Sequence, residues 1–326
     1  MMQQLVTSFP QQILGAIEIA KRHSLSFKEG IQNIVISGLG GSGIGGQLIS
    51  SIVADTCLIP IICNNDYHLP NFAGSDTLVI ICSYSGNTEE TVAVMNAAIE
   101  TGCQIVCITS GGRVLELAHE HKLQNIVIPG GNPPRSMLAY SLIQLISIMD
   151  ALGFAPKGAM EQVESSAVYL VENQEEIFNA AESIGPHLAG KIPILYSSTM
   201  FEPVIIRWRQ QFNENSKMLC SHHVMPEMNH NELVGWDRGS EEVVVVMVRS
   251  DLDFPRTSAR MDICEKIFND KSEVIIINGI GESLIEQFFQ LIHLGDWISL
   301  VLAEAHEVDA MTIDNIDLLK NKLAEL

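Results

Sequence analysis

Short apolar segments alternate with helix-like segments along the first half of this chain. The apolar segments, each long enough for one buried strand, are Asn33–Ser37, Leu58–Cys63, Thr77–Cys82, Gln104–Thr109 and Asn125–Ile128. Strands that are apolar throughout are typical of a parallel sheet with helices on both faces. The alternation therefore predicts an α/β fold of three layers, helix–sheet–helix, of the flavodoxin-like type.

The second half repeats the strand–turn–helix order after the turn-like residues 153–158. Its predicted elements are a helix near Met160–Ile184, strands at Ile192–Ser197, Glu242–Arg249 and Glu273–Asn278, and a long helix at Ser283–Ala305. A chain of 326 residues has room for two domains, each with its own core. We therefore predict an N-terminal domain over residues 1–153 and a C-terminal domain over residues 154–326.

Charge and cysteine usage limit the partners that we expect. A formal charge of −20 argues against nucleic acid and against an anionic membrane surface, so an anionic ligand must be held by local donors. The seven cysteines are odd in number and lie mostly in apolar segments, which indicates reduced thiols and a cytoplasmic protein. We expect no signal peptide and no apolar run of membrane-spanning length.

The segment Ser83–Thr91, with the sequence SYSGNTEET, follows the third predicted strand and precedes a helix. It gathers hydroxyls and free backbone N–H groups at a helix N-terminus, an arrangement that attracts phosphate. The alternative is an ordinary helix cap, because Asn87 and the Glu three residues later have capping-box spacing. Three hydroxyls, at Ser83, Ser85 and Thr88, exceed what one cap needs and favour a phosphate site.

A glycine-rich loop, Gly38–Gly43, follows the first predicted strand and opens a helix. It matches G-x-G-x-x-G, with Asp66 downstream, so a dinucleotide site in an oxidoreductase is one alternative. The same glycines would let the backbone approach any small anion, and Ser42 adds a hydroxyl. Because ligands bind at the carboxyl ends of parallel strands, this loop and Ser83–Thr91 favour one small phosphate between two loops.

In the second half, the turn Arg249–Asp253 takes the place of Ser83–Thr91 after the corresponding strand. Its two aspartates would repel a phosphate. We therefore expect one phosphate site per chain.

Polar side chains are concentrated in the second half between residues 199 and 236. Arg207, Gln211 and Glu214 share one face of a predicted helix, and a Glu at a helix end near a loop His can act as a general acid or base. A metal site is an alternative without any recognised metal-binding spacing. Its ligand-type residues would be His222, His223, Glu227, His230 and Glu232. For His222 and His223, a polar loop on a domain interface also stays open.

Five motifs together resemble those of the bifunctional phosphoglucose/phosphomannose isomerases, members of the sugar-isomerase-domain superfamily. The motifs are Gly40–Ser42, Ser83–Thr91, Pro134–Ser136, Asn213–Lys217 and Pro226–Glu232. The resemblance runs over nearly the whole chain. It implies two sugar-isomerase-type domains and interconversion of glucose 6-phosphate, or mannose 6-phosphate, with fructose 6-phosphate, without a metal or nucleotide cofactor.

The resemblance also implies substrate-binding residues. Ser83, Ser85 and Thr88 would hold the phosphate, with Gly41 and Ser42 lining the pocket. Thr312 lies within one position of a family Thr that is linked to acceptance of mannose 6-phosphate. The resemblance therefore implies isomerisation of glucose 6-phosphate more directly than isomerisation of mannose 6-phosphate.

Catalytic roles follow from the same resemblance. Glu214 would be the base that moves a proton between C2 and C1 through an enediol(ate), and Arg135 would stabilise the negative charge that develops. His230 would assist ring opening together with Lys320. In this superfamily the His usually comes from the partner subunit, so a homodimer is implied. The alternative outside catalysis is a sugar-phosphate-binding regulatory module, which would need neither Glu214 nor His230.

Overall fold

The computed structural model describes residues 1–325, in which helices and strands alternate. The helices are α1 (Met2–Thr7), α2 (Phe9–Arg22), α3 (Gly40–Ile52), α4 (Glu89–Glu100), α5 (Gly112–Glu120), α6 (Leu138–Ala151), α7 (Ala159–Glu172), α8 (Gln174–Leu188), α9 (Glu202–Ser216), α10 (Pro255–Asn269), α11 (Leu284–Ala305) and α12 (Asp314–Leu323). The strands are β1 (Asn33–Ser37), β2 (Ile61–Asn64), β3 (Thr77–Ser83), β4 (Gln104–Thr109), β5 (Gln124–Val127), β6 (Ile192–Ser198), β7 (Ser221–Met225), β8 (Val243–Arg249) and β9 (Glu273–Asn278). The predicted α/β class is confirmed.

The elements group into two compact units whose limits differ from the predicted domains. The N-unit comprises Thr7–Glu172 and Gly281–Phe289, and the C-unit comprises Met1–Val6, Asn173–Ile280 and the chain from Gln290 on. The main break falls after residue 172 rather than after 153, because α7 packs against α2 and α6 and stays with the N-unit. The single helix predicted near residues 160–184 is two helices, α7 and α8.

The N-unit is built on a five-stranded sheet with the order β2-β1-β3-β4-β5. Every strand pair is parallel, and β3 at the centre is buried over its whole length. Alternate residues of β1 face opposite sides: Val35 packs in a core with residues of α4 and α5, whereas Ile36 lies against Gly46 of α3. The sheet is therefore covered by helices on both faces, as its apolar strands predict.

The C-unit contains a four-stranded parallel sheet with the order β7-β6-β8-β9. This order matches β2-β1-β3-β4 of the N-unit, so the repeat seen in the sequence is present in the topology. The sequence predicted a loop where β7 lies, and that prediction is wrong. β7 is an edge strand with the sequence SHHVM, of which only Val224 and Met225 are buried, so it lacks the apolar pattern of the central strands.

One helix, α11, has the length and apolarity of a membrane span, with a mean hydropathy of 1.2 over the relevant stretch. The prediction that no apolar run reaches that length is therefore wrong for α11. However, 78% of the stretch is buried inside the protein. Such burial is typical of a core helix, which has the same length and composition.

Candidate active site

The predicted phosphate turn connects β3 to α4, as the sequence indicated. Ser83 is buried, and its hydroxyl donates to Thr88 Oγ1 at 3.2 Å. Ser85 is exposed, and its Oγ accepts from the Asn87 N–H at 3.2 Å. Thr88 precedes α4, which has no side-chain cap within the described chain. The first N–H groups of α4 therefore have no partner from within the helix, and they carry the positive end of its dipole.

Asn87 does not cap α4, the helix that it precedes. Its Oδ1 accepts from the Arg113 N–H at 3.0 Å, at the start of α5. Gly86, next to it, has φ +70°, and a Cβ there would lie 1.7 Å from the Gly111 carbonyl oxygen. The alternative of an ordinary cap is therefore wrong: the turn is shaped by its contact with the loop after β4.

Tyr84 ties the phosphate turn to three other loops at the carboxyl ends of the strands. Its N–H donates to Ser42 Oγ at 3.0 Å, and its carbonyl accepts from the Ser110 N–H at 3.0 Å and the Ser110 hydroxyl at 2.6 Å. Its own hydroxyl accepts from the Asn132 N–H at 3.1 Å. Tyr84 is not among the predicted site residues, although an aromatic residue inside a polar turn is a signal of such anchoring. The loops meet at one edge of the sheet, as predicted.

The glycines of the loop after β1 are explained by close packing. A Cβ on Gly43 would lie 2.5 Å from the Gly38 carbonyl oxygen, and a Cβ on Gly41 would lie 3.1 Å from the Arg135 backbone nitrogen. Asp66, which would hold a ribose in a dinucleotide site, is exposed, and its Oδ1 accepts from the next residue's N–H at 2.6 Å. The pattern G-x-G-x-x-G therefore reflects contact between loops, and the dinucleotide alternative loses its main support.

Three predicted residues line a small cavity beneath these loops: Gly41, Ser42 and Ser83. Its volume of about 10 Å³ suits one water molecule, so a phosphate does not fit inside it in this conformation. Arg135 lies on the short 3-10 turn Pro134–Ser136 against Gly41 and is only 3% exposed. The exposed donors of the phosphate turn are thus Ser85 and the start of α4.

In the C-unit, α9 is fixed to α11 by a buried ion pair. Arg207 Nη2 donates to both carboxylate oxygens of Asp296, at 3.0 and 2.8 Å. Gln211 Nε2 donates to Asp296 Oδ1 at 2.8 Å, and all three residues are buried. Arg207 and Gln211, predicted to share a face with Glu214, therefore hold the helix in place.

A second set of contacts fixes the last turn of α9. Asn215 Nδ2 donates to Ser299 Oγ at 2.9 Å, and the Ser216 hydroxyl donates to the Ser299 carbonyl at 2.7 Å. The Ser216 carbonyl lies 2.9 Å from His306 Nδ1. Glu214 lies on this turn and is half-buried. Its backbone is fixed by the contacts of Gln211 before it and of Asn215 and Ser216 after it.

Glu214 lines a surface cleft of about 360 Å³. The other lining residues are Asn213, Lys217 and the segment Thr312–Ile316. The structure thus brings together two predicted site residues, Glu214 and Thr312, that are distant in sequence. Lys320, on α12, is exposed and is not among the lining residues.

His230 ends the short 3-10 helix Glu227–His230, and the side chains around it are anchored. Asn231 Nδ2 donates to Glu227 Oε1 at 2.9 Å, and Glu232 Oε1 accepts a short hydrogen bond from the buried Tyr196 hydroxyl. His230 itself is exposed, and its ring has no hydrogen-bond partner within residues 1–325. The run of four polar residues therefore presents one exposed imidazole without a described hydrogen-bond partner.

The adjacent histidines lie on the edge strand β7. His223 Nδ1 accepts from the Val224 N–H at 2.8 Å, and burial, with the charges of Arg209 and His223, lowers the pKa of His222 to about 4. The pairing of the strand and the groups around it therefore explain the placement of both histidines. In the described part of the chain no group of three or more His, Cys, Asp or Glu side chains is placed to hold a metal ion, so the alternative metal cluster is not assembled.

Comparison with known proteins identifies the family. A family model described as the bacterial phospho-glucose isomerase C-terminal SIS domain matches residues 177–323. The chain is 40% identical to the bifunctional phosphoglucose/phosphomannose isomerase of Caldicellulosiruptor bescii, over 98% of both chains. The chain belongs to the bifunctional phosphoglucose/phosphomannose isomerase family. A protein of the same name from Aquifex aeolicus is 33% identical over 90% of both chains.

A solved structure confirms the fold of this family member. The C-terminal domain of glucosamine-fructose-6-phosphate aminotransferase from Francisella tularensis has a TM-score of 0.77 and 14% sequence identity to the chain. The match covers 95% of this chain and 98% of that domain. The predicted fold of parallel sheets flanked by helices is therefore confirmed.

In this isomerase-family chain, the turn after β8 corresponds to the phosphate turn after β3. Asp253 is buried there, and its Oδ2 accepts from the Ser250 N–H at 2.9 Å. Burial raises the pKa of the Asp253 carboxyl above its usual range. The Asp253 carboxyl group therefore occupies the Ser250 N–H, a donor that a bound phosphate would need. This contact supports the expectation of one phosphate site per chain.

The predicted site residues of this family member fall into two sets. The N-unit contains the phosphate-turn and loop residues, namely Gly41, Ser42, Ser83, Ser85, Thr88 and Arg135. The C-unit contains Glu214 and Thr312, which share a cleft, and His230 and Lys320, which do not line it.

Proposed function

We propose that this chain interconverts glucose 6-phosphate, and also mannose 6-phosphate, with fructose 6-phosphate. The observation that carries the proposal is the placement of Glu214. It lies half-buried at the end of an immobilised helix and beside an open cleft, in a chain of the phosphoglucose/phosphomannose isomerase family. Aldose–ketose isomerisation needs one carboxylate within reach of two adjacent carbons, and a Glu at a helix end can supply it.

The phosphate group of the sugar is proposed to bind at the Ser83–Thr91 turn. Ser85 and Thr88 supply hydroxyls, and the uncapped start of α4 supplies backbone N–H groups and a partial positive charge. Ser83 supports Thr88 through their 3.2 Å hydrogen bond. Ser42 and Gly41 act one step further away: Ser42 fixes the turn through Tyr84, and Gly41 allows the Arg135 turn to approach.

Proton transfer is proposed to proceed through a cis-enediol(ate). Glu214 removes the proton from C2 of the aldose, and the electrons of the broken C–H bond form the C1=C2 bond of the enediolate. Glu214 then returns the proton to C1 while the C2 hydroxyl proton passes to O1 and C2 becomes the carbonyl carbon; the reverse sequence forms the aldose. Arg135 stabilises the negative charge that develops on oxygen, an effect that is large in a site that excludes water. His230 and Lys320 assist the ring opening that must precede isomerisation.

Conversion of fructose 6-phosphate tests the proposed function directly. Purified protein that is incubated with fructose 6-phosphate and EDTA should form glucose 6-phosphate and, to a smaller extent, mannose 6-phosphate. A non-catalytic regulatory module would bind the sugar phosphate without turnover. If neither aldose appears, with or without added divalent metal, the isomerase proposal is wrong.

We also propose a homodimer in which His230 of one subunit acts in the site of the other. Its exposure and lack of a partner in the described chain support this role, as does the resemblance to the superfamily. Mixing inactive Glu214→Gln and His230→Asn proteins under conditions that exchange subunits should restore about a quarter of wild-type activity, since half of the dimers are mixed and each has one intact site. No recovery, with subunit exchange verified, would place both residues on the same chain.

A cytoplasmic location belongs to this proposal as well. All seven cysteines are free thiols, and burial raises the pKa values of Cys82 and Cys107 above their usual range. Free, unreactive thiols are typical of reducing compartments. The partner that we propose is a small sugar phosphate, with no role for nucleic acid or a membrane.

A further inference from the structure

Lys217 occupies a backbone conformation that does not suit a lysine. It ends α9 with φ 56° and ψ 34°, in the left-handed region, where glycine is the usual residue after a helix. Among residues 1–325, three residues other than glycine have positive φ: Lys122, Lys217 and Glu307. Lys217 therefore lies at a backbone position that glycine would occupy with less strain.

The Lys217 side chain joins two walls of the cleft. Its Nζ donates to the Glu214 carbonyl at 2.6 Å and to the Asp309 carbonyl at 2.8 Å. The first contact lies at the turn that carries Glu214. The second lies 92 residues away, at the start of the segment that carries Thr312.

The Asp309 carbonyl is shared with Thr312. Thr312 Oγ1 donates to this oxygen at 3.3 Å, and the backbone beyond it is shaped by the Met311 N–H, which donates to Asp309 Oδ1 at 2.8 Å. A continuous chain of contacts therefore runs from Glu214 through Lys217 and Asp309 to Thr312. All of these residues belong to the C-unit.

We propose that Lys217 is a positioning residue that sets the distance between Glu214 and Thr312 across the cleft. This inference rests on the proposed function. Lys217 acts through Glu214 and Thr312 and does not meet the reacting carbons. A lysine that served only to neutralise the helix dipole would need the Glu214 carbonyl alone, so the contact with Asp309 distinguishes the two roles.

The variant Lys217→Gly separates positioning from stability. Glycine prefers the left-handed backbone, so we expect an unchanged or higher Tm, whereas kcat should fall about tenfold or more because the base and Thr312 lose their alignment. The loss should be larger for mannose 6-phosphate than for glucose 6-phosphate, with little change in KM. Added butylamine, which supplies an ammonium group, should restore part of the kcat.

Lys122→Gly is the matched control. Lys122 also follows a helix, α5, with φ 55°, is exposed, and makes no side-chain hydrogen bond in the described chain. The backbone change is the same, and we expect wild-type kcat and substrate preference. The inference is wrong if Lys217→Gly keeps wild-type kcat and substrate preference, as the control should. It is also wrong if the kcat and Tm of Lys217→Gly fall together and the amine restores no activity.

Hydrogen exchange tests the contact independently of activity. Amides of residues 309–316 should exchange faster in Lys217→Gly than in wild type or Lys122→Gly. A wild-type chain without isomerase activity would refute the proposed function, and this exchange experiment would still decide on the link between the two walls. Unchanged exchange over residues 309–316 in Lys217→Gly would contradict the proposed link between the two walls of the cleft.

Discussion

Glu214→Gln should lower kcat by about 10³-fold, because general-base catalysis by a positioned carboxylate contributes roughly 10²- to 10⁴-fold. Gln has the same size and can keep the contacts of the side chain, but its amide does not accept a proton at neutral pH. The phosphate turn is untouched, so KM for fructose 6-phosphate should stay near the wild-type value. Steady-state kinetics in both directions measure the effect.

A matched control for this variant is Glu304→Gln, which removes one carboxylate from an exposed position on α11. It should retain wild-type kcat, which shows that the loss of one negative charge from a strongly acidic chain is not itself the cause. If Glu214→Gln turns over like Glu304→Gln, Glu214 is not the base. A proportional rise in KM without loss of kcat would instead assign Glu214 to substrate binding.

Arg207→Met should destabilise the fold by about 3–5 kcal/mol, the range for breaking a buried ion pair from one side. Met preserves most of the packing volume but leaves the Asp296 carboxylate buried with only Gln211 as a described donor. Burial already raises the pKa of Asp296, and the guanidinium of Arg207 opposes that rise. Without Arg207 the pKa should rise further. Urea unfolding followed by circular dichroism measures the change.

The pH dependence of this loss identifies its cause. A raised carboxyl pKa in the folded state means that the folded protein binds a proton that the unfolded chain releases, so stability falls as pH rises towards the folded pKa. The cost of Arg207→Met should therefore be larger at pH 8 than at pH 5. The double variant Arg207→Met/Asp296→Leu should recover part of the loss. A cost below about 1 kcal/mol, typical of an exposed pair, would contradict the account.

The fold class followed from the sequence because each central strand is apolar over its full length. That pattern arises only when both faces of a strand are covered, and β3 is buried at every residue. The carboxyl-end placement of the phosphate turn then followed from parallel pairing, in which Ser83 at the end of β3 lies beside Thr109 at the end of β4. Local chemistry and global topology point to the same edge.

Other features depended on contacts that no local pattern encodes. The edge strand β7 pairs on one side only and tolerates His222 and His223, so it lacks an apolar signature. Asn87 has the spacing of a cap for α4 but bonds to Arg113 instead. The limits of the two units depend on the packing of α7 against α2 and α6.

The contacts that hold the helix of the candidate site could not be predicted from the sequence. The family resemblance pointed to Glu214 and Thr312, which share a cleft, whereas helical periodicity assigned Arg207 and Gln211 to the same functional face. These two residues instead bind Asp296 on α11, far along the chain. The sequence alone does not separate the structural from the catalytic residues on the polar face of α9, because that separation depends on which helix packs against it.

Isotope incorporation during turnover tests the central claim most directly. Wild-type protein with EDTA should convert fructose 6-phosphate in D₂O into aldose 6-phosphate that carries deuterium at C2, as read by ¹H NMR, because the proton on Glu214 exchanges with solvent during the lifetime of the enediolate. Glu214→Gln should form product, and with it label, about 10³-fold more slowly than wild type. Conversion without any deuterium at C2 would indicate direct hydride transfer and would contradict the proposed mechanism.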